Sequence, residues 1–138
     1  MWALDTDTLT PWLRGQPAVV RQVEAHPPGD LAFTIITVEE VLSGWYRLIR
    51  QSRDDDKLVR AYHWLQQSVE FLKEMRILPF GRIALERYHK LRKEHRTTGT
   101  NDLRIAATAL ESGAILVSRN LSDFGPISGL SVEDWSSG

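Results

Sequence analysis

Apolar positions along the chain follow two alternating periods. Trp2-Ala3-Leu4, Leu31 to Ile36, Ile77-Leu78 and Ala114 to Ser118 are short apolar, often β-branched runs. Bounded by polar or turn residues, they read as buried strands. Helical patterns separate them. Val38, Val41, Leu42, Trp45, Leu48 and Ile49 recur at helical spacing, which places one apolar stripe on a helix opened by Thr37. Leu58, Tyr62, Leu65, Val69 and Leu72 mark a second stripe. Helices are also expected over 6–14, 18–25, 82–96 and 102–111, and a short last strand over 130–132. Gly15-Gln16-Pro17, the run from His26 to Asp30, and Gly113 are breaks. Strands alternating with helices predict an α/β fold: a central parallel sheet of four to five strands with helices on both faces. With 138 residues and no long linker, one domain over 1–138 is expected.

Composition narrows the function. No run is apolar and long enough to span a bilayer, and Met1-Trp2-Ala3-Leu4-Asp5 lacks the basic start of a secretory leader. There are no cysteines, so thiolate metal sites and disulfides are excluded. A cytoplasmic location with no membrane partner is the expectation. The 17 basic and 18 acidic residues nearly cancel, so bulk charge would not hold a nucleic acid. The basic residues cluster, however. Arg82, Arg87, Lys90, Arg92, Lys93 and Arg96 share one expected helix, either as a solvated face or as a phosphate-contacting patch.

In parallel α/β sheets, ligands bind beyond the carboxyl ends of the strands. Asp5 ends the first strand. Glu40 falls in the first turn of the helix after the second, and Asp102 starts the helix leading to the fourth. Asn120 and Asp123 follow the fourth strand. Each acid has an ordinary alternative. Asp5, Asp7 and Asp102 suit helix caps, Thr37-Val38-Glu39-Glu40 suits a capping box, and Asp123 suits an Asx turn.

The order of these pieces resembles the PIN-domain nucleases, specifically the VapC toxins of type II toxin–antitoxin systems. The matching segments are Leu4-Asp5-Thr6-Asp7, Val38 to Gly44, Asn101 to Leu110, Ile115 to Phe124 and Gly129 to Trp135. In two places the chain departs from the family's usual residues: Asp7 stands where Asn is common, and Ser118 where Thr is common. The resemblance implies a magnesium-dependent ribonuclease, with Mn²⁺ as a substitute metal. Asp5 and Asp102 would be the most direct ligands, and Glu40 and Asp123 would complete the catalytic set. Thr6, Ser118 and Asn120 would support it. It also implies single-stranded regions of tRNA or rRNA as substrate, a cognate antitoxin and a homodimer. The antitoxin groove would lie between the helices carrying Trp45-Tyr46 and Leu58 to Leu72, with Trp12 and Trp64 nearby; Trp45 could equally fill the core.

Three other readings compete. A metal-free ribonuclease needs a histidine pair, drawn here from His26, His63, His89 and His95. A phosphoacceptor receiver domain needs a late lysine, but the last one, Lys93, precedes the fourth strand. In a catalytically silent PIN-like module binding RNA or protein, the acids would serve only as caps.

Overall fold

The computed structural model describes residues 1–137. Five parallel strands form one sheet in the order β3-β2-β1-β4-β5. They are β1 (Trp2–Leu4), β2 (Leu31–Thr34), β3 (Arg76–Leu78), β4 (Ile115–Val117) and β5 (Val132–Glu133). The helices are α1 (Thr6–Leu13), α2 (Pro17–Glu24), α3 (Ile35–Gln51), α4 (Asp55–Leu72), α5 (Arg82–Glu94), α6 (Thr100–Ser112) and α7 (Leu121–Phe124).

Strand side chains alternate between the faces, as a pleat requires. Leu4, Leu31, Phe33 and Val117 point to one face and pack with Leu9 of α1, Val19 and Val23 of α2, Leu72 of α4 and Trp135. Leu116 packs on the other face against Leu103, Ile105, Ala106, Ala107 and Ala109 of α6, with Leu91 of α5. Those alanines are fully buried. Their small side chains let α6 lie close to its neighbours, and Gly113 ends the helix in the left-handed region at φ 66.

Four expectations need correction. The run Leu31 to Ile36 is not all strand: β2 stops at Thr34, and Ile35 and Ile36 already belong to α3. The cap of α3 is Thr34, not Thr37. Thr34 Oγ1 accepts from the Thr37 backbone N–H at 3.0 Å. β-Branched isoleucines disguised the boundary, because they suit a strand as well as a buried first turn.

The inward stripe of α4 is also rotated from the expected one. Ala61, Ser68 and Leu72 are buried, with Leu58 and Leu65 half-buried, whereas Tyr62 and Val69 are exposed. Alanine and serine fill the close-packed positions, and a search for large apolar residues passes over them. Finally, the last strand begins at Val132 rather than Leu130.

Candidate active site

The strand order reverses its direction of growth between β1 and β4, which lie side by side at the sheet centre. Segments leaving the carboxyl ends of two such strands diverge and leave a crevice. Asp5 follows β1 directly, and Ser118, Arg119 and Asn120 follow β4. Glu40 enters from α3 and Asp102 from the first turn of α6. Side-chain contacts tie these pieces together. Thr6 Oγ1 donates to Glu40 Oε1 at 3.0 Å. Asn120 Nδ2 donates to Asp123 Oδ2 at 3.0 Å and, at a longer 3.5 Å, to Asp102 Oδ2. The Ser118 hydroxyl accepts from the Asn120 backbone N–H at 2.9 Å.

The capping uses of Asp5, Asp102 and Glu40 are not realised. Asp5 occupies the N-cap of α1 but makes no side-chain cap bond. The N-cap of α6 is Gly99, likewise without a side-chain bond. With Thr34 as the cap of α3, Glu40 lies beyond the first turn, and its recorded partner is Thr6 instead of the Thr37 backbone.

Asp7 has a distinct role. Its Oδ1 accepts from the Arg119 backbone N–H at 3.1 Å, and its Oδ2 lies 3.5 Å from the Ser118 hydroxyl. This links α1 to the β4–α7 loop. Nothing in the sequence marks a side chain bonded to a backbone N–H 112 residues away.

Burial sets the electrostatics. Asp5 is only 6% exposed, and its Oδ1 is buried without a hydrogen-bond partner. Burial pushes the Asp5 carboxyl up to about 9, and the neighbouring Asp7 carboxyl adds to the rise. The Ser118 hydroxyl and the Thr8 backbone N–H pull weakly the other way. Asp102 is raised too, by burial first and then by the negative charges of Asp123, Glu40 and Asp7. An orphaned buried oxygen costs roughly 1–3 kcal/mol, and a group under that pressure takes up a proton or a cation.

Among the described residues, no three acidic or histidine side chains close on one point as a finished metal cage. Mg²⁺ does not require one. It is bound through one or two carboxylates and keeps several waters, and the all-oxygen donor set here suits a hard cation. The residues present therefore fit such an ion, with the orphaned Asp5 oxygen as the clearest available donor.

The histidines do not form a catalytic pair. His26 is packed between the rings of Trp2 and Trp135, at 4.3 and 4.7 Å between centroids. His63 and His89 are exposed on separate helices, and His95 caps the end of α5. Of the basic residues on α5, Arg92 is committed elsewhere. Its guanidinium donates to the carbonyls of His95, Arg96 and Thr98 and to Thr100 Oγ1. Arg82, Arg87, Lys90, Lys93 and Arg96 are exposed.

Beside the acids, an apolar groove of ≈ 600 Å³ runs between α1, α3 and α4. Leu9, Leu13, Val41, Trp45, Leu48, Trp64 and Phe71 line it, and Thr6 and Glu40 stand at its acidic end. Trp45 is half-buried, with its indole N–H bonded to Ser68 Oγ at 2.8 Å. Trp64 stacks alongside and is 46% exposed. Among the described residues, no helix is long and apolar enough to cross a membrane.

The PIN domain family profile matches residues 3–124. Ribonuclease VapC1 of Rickettsia felis is 40% identical over 109 residues, 75% of each chain. Ribonuclease VapC1 of Haemophilus influenzae (strain R2866) is 29% identical over 139 residues, 98% of each chain. A toxin–antitoxin complex from Klebsiella pneumoniae contains a chain with the same fold, at TM-score 0.72 and 28% identity, covering 94% of this chain and 95% of that one. With most of its length matched by the family profile, this chain belongs to the PIN-domain family, in its VapC branch.

Proposed function

We propose that this protein is a magnesium-dependent endoribonuclease, with Mn²⁺ able to substitute, and the toxin of a type II toxin–antitoxin pair. It would act as one PIN unit over 1–138. The observation that carries this reading is the negative charge of Asp123 and Glu40 bearing on Asp102 beside the β1–β4 crevice, with the buried Asp5 oxygen at the end of β1 left unpartnered. Family membership supports the nuclease class.

Asp5 and Asp102 would hold the ion, and Glu40 and Asp123 would complete its surroundings. When bound, Mg²⁺ supplies Lewis acidity to the scissile phosphate and lowers the pKa of a water. The chain's own residues do the rest. Asn120 donates to both Asp102 and Asp123, so it spaces two acids that would otherwise repel. Thr6 fixes the rotamer of Glu40. Asp7, bonded to the Arg119 backbone, holds the loop that carries Ser118 and Asn120. Water would attack phosphorus in line as the bond from phosphorus to the leaving ribose oxygen breaks; the proton lost by the water would pass to a carboxylate of the cluster, and the leaving oxygen would take up a proton from solvent.

The substrate class we assign is single-stranded RNA within tRNA or rRNA. The exposed Arg82, Arg87, Lys90, Lys93 and Arg96 are available for its backbone, while Arg92 serves chiefly to hold the α5–α6 loop. A cognate antitoxin would occupy the apolar groove, whose acidic end reaches Glu40. A homodimer would cover the exposed Val59, Tyr62 and Val69 of α4. Cytoplasmic action follows from an RNA substrate.

The test is cleavage of total RNA with and without Mg²⁺, comparing wild type with Asp102→Asn. Loss of cleavage in EDTA and in the folded variant is expected. Full activity in a folded Asp102→Asn protein would sink the mechanism. Cleavage that survives EDTA would return the histidine reading, and no cleavage under any condition would favour the silent module.

A further inference from the structure

Arg14 and Arg119 come from opposite ends of the chain and meet at one cavity beside the acids. The cavity is ≈ 390 Å³ and is walled by Asp7, Thr10, Pro11, Arg14, Gln16 and Arg119. Arg14 is the C-cap of α1, with its backbone N–H bonded to Thr10 O at 3.1 Å. Gly15 then turns the chain away at φ 74, a left-handed conformation that suits glycine. Arg119 is positioned by the acid cluster itself, through its backbone N–H bond to Asp7. Both arginines are exposed. The one ion pair among the described residues is Lys73–Glu70, so neither guanidinium is neutralised by a contacting carboxylate.

Two acids bear on this region. Asp7 forms part of the wall. Asp134 is held below the usual carboxylate range by the Ser136 hydroxyl and backbone N–H, with Arg119 a lesser, longer-range contributor. Asp134 is thus already satisfied by Ser136, at 2.6 and 2.8 Å, and leaves Arg119 free.

Arg14 has an ordinary role at a helix C-terminus, where a cation complements the dipole. That role does not account for a second arginine across the same cavity. Guanidinium forks match phosphate oxygens in a bidentate way, and Gln16 and Thr10 add neutral donors to the same walls. A polyanion approaching Asp5, Asp7, Glu40, Asp102 and Asp123 is repelled, so fixed positive charge next to the acids favours its docking. Arg14 stands seven residues beyond Asp7 on α1, about 10 Å along the axis. That places it beside the reacting position but not on it.

We infer that Arg14 and Arg119 form a phosphate subsite, which grips the RNA backbone next to the scissile phosphate and sets the register of the strand against the acids. This rests on the ribonuclease reading above.

The test measures binding of a short, labelled, mixed-sequence single-stranded RNA to the full chain by fluorescence anisotropy. Ca²⁺ replaces Mg²⁺, and KCl is varied. Arg14→Gln, Arg119→Gln and the double variant are compared with wild type and with Arg21→Gln, an exposed arginine on α2. The slope of log K against log salt should fall by about 0.7 for each arginine removed, the single-strand value per phosphate charge. The double variant should bind at least about tenfold more weakly. Calorimetric Mg²⁺ titration of the double variant should match wild type, which separates the subsite from damage to the acids. An unchanged slope and affinity in the double variant would overturn the subsite and leave the nuclease reading intact, as would an equal loss in Arg21→Gln. If wild type neither binds nor cuts RNA, the ribonuclease reading falls and the subsite falls with it.

Discussion

Replacing Asp5 with asparagine should stabilise the metal-free protein while removing the proposed metal site. Asp5 is buried and its carboxyl is raised to about 9, against an ordinary value of 3.8. The unfolded chain ionises this group near pH 4, whereas the fold keeps it protonated. A raised acid contributes stability that is fully present below pH 3.8 and is lost as pH climbs to about 9. At roughly pH 7 the loss is about 4 kcal/mol, at 1.36 kcal/mol per pKa unit. Asparagine has nearly the same shape and carries no charge at any pH, and its amide can donate to the adjacent Asp7. The variant should therefore recover up to about 4 kcal/mol in EDTA, a midpoint shift on the order of 2 M in urea. The gain should shrink towards zero as pH falls to about 4. Saturating Mg²⁺ should raise the wild-type midpoint and leave Asp5→Asn unmoved, because a ligand stabilises only the state that binds it. Urea denaturation across that pH range, with and without metal, reads all of this. An Asp5→Asn midpoint at or below wild type in EDTA near neutral pH would refute the burial argument.

Substitutions at four further positions test the frame around the site. Thr34→Ala removes the cap of α3 and leaves the buried Thr37 hydroxyl without its 3.0 Å partner, so urea midpoints should report a loss of about 1–2 kcal/mol. Arg92→Ala frees the 95–100 loop from four hydrogen bonds and loosens the first turn of α6, which carries Asp102. Amide exchange at 100–103 should accelerate, and Arg92→Lys should fail to restore protection, because a lysine has no planar fork. Trp45→Phe strips the indole N–H from the buried Ser68 hydroxyl, at a cost of about 1–2 kcal/mol by thermal or urea unfolding. Trp64→Ala, at an exposed position, should leave stability within about 1 kcal/mol of wild type.

The fold was legible wherever apolar residues are large and turns are explicit. Trp2-Ala3-Leu4, Leu31 onward and Ile115-Leu116-Val117 mark the three central strands, because a sheet buried on both faces shows as short continuous apolar runs. Two features misled. Thr34 and Thr37 are both credible caps three residues apart, and only the structure shows that Thr34 accepts the bond. On α4, the inward face depends on Ala61 and Ser68, while Tyr62 and Val69 point to solvent. Hydrophobic periodicity assumes that the largest apolar residues face the core, and a helix with an unpartnered apolar flank breaks that assumption.

The site was legible as an ordered set of acids, but not as a device with separate parts. Sequence order placed Asp5, Glu40, Asp102 and Asp123 at strand ends or helix starts, where an α/β sheet puts chemistry. It left Asp5, Glu40 and Asp102 with a capping alternative and Asp123 with an Asx turn, and local sequence cannot decide between such uses, since each depends on a side-chain rotamer. The structure decides for Glu40 by moving the helix start three residues upstream and giving it Thr6 as a donor. Asp7 reads from sequence as one more helix cap, and its observed contact lies outside that alternative. It acts by holding a loop across the β1–β4 crevice through a backbone N–H, a contact that leaves no trace in residue type at the partner position. The same bond fixes where Arg119 sits, so one carboxylate adds to the charge that raises Asp5 and also positions a cation at the edge of that field. Under the proposed function, a cluster of acids that disfavours its own ionisation and would repel a polyanionic substrate calls for both a cation at its centre and fixed positive charge at its rim. Asp7 is the residue through which those two requirements meet.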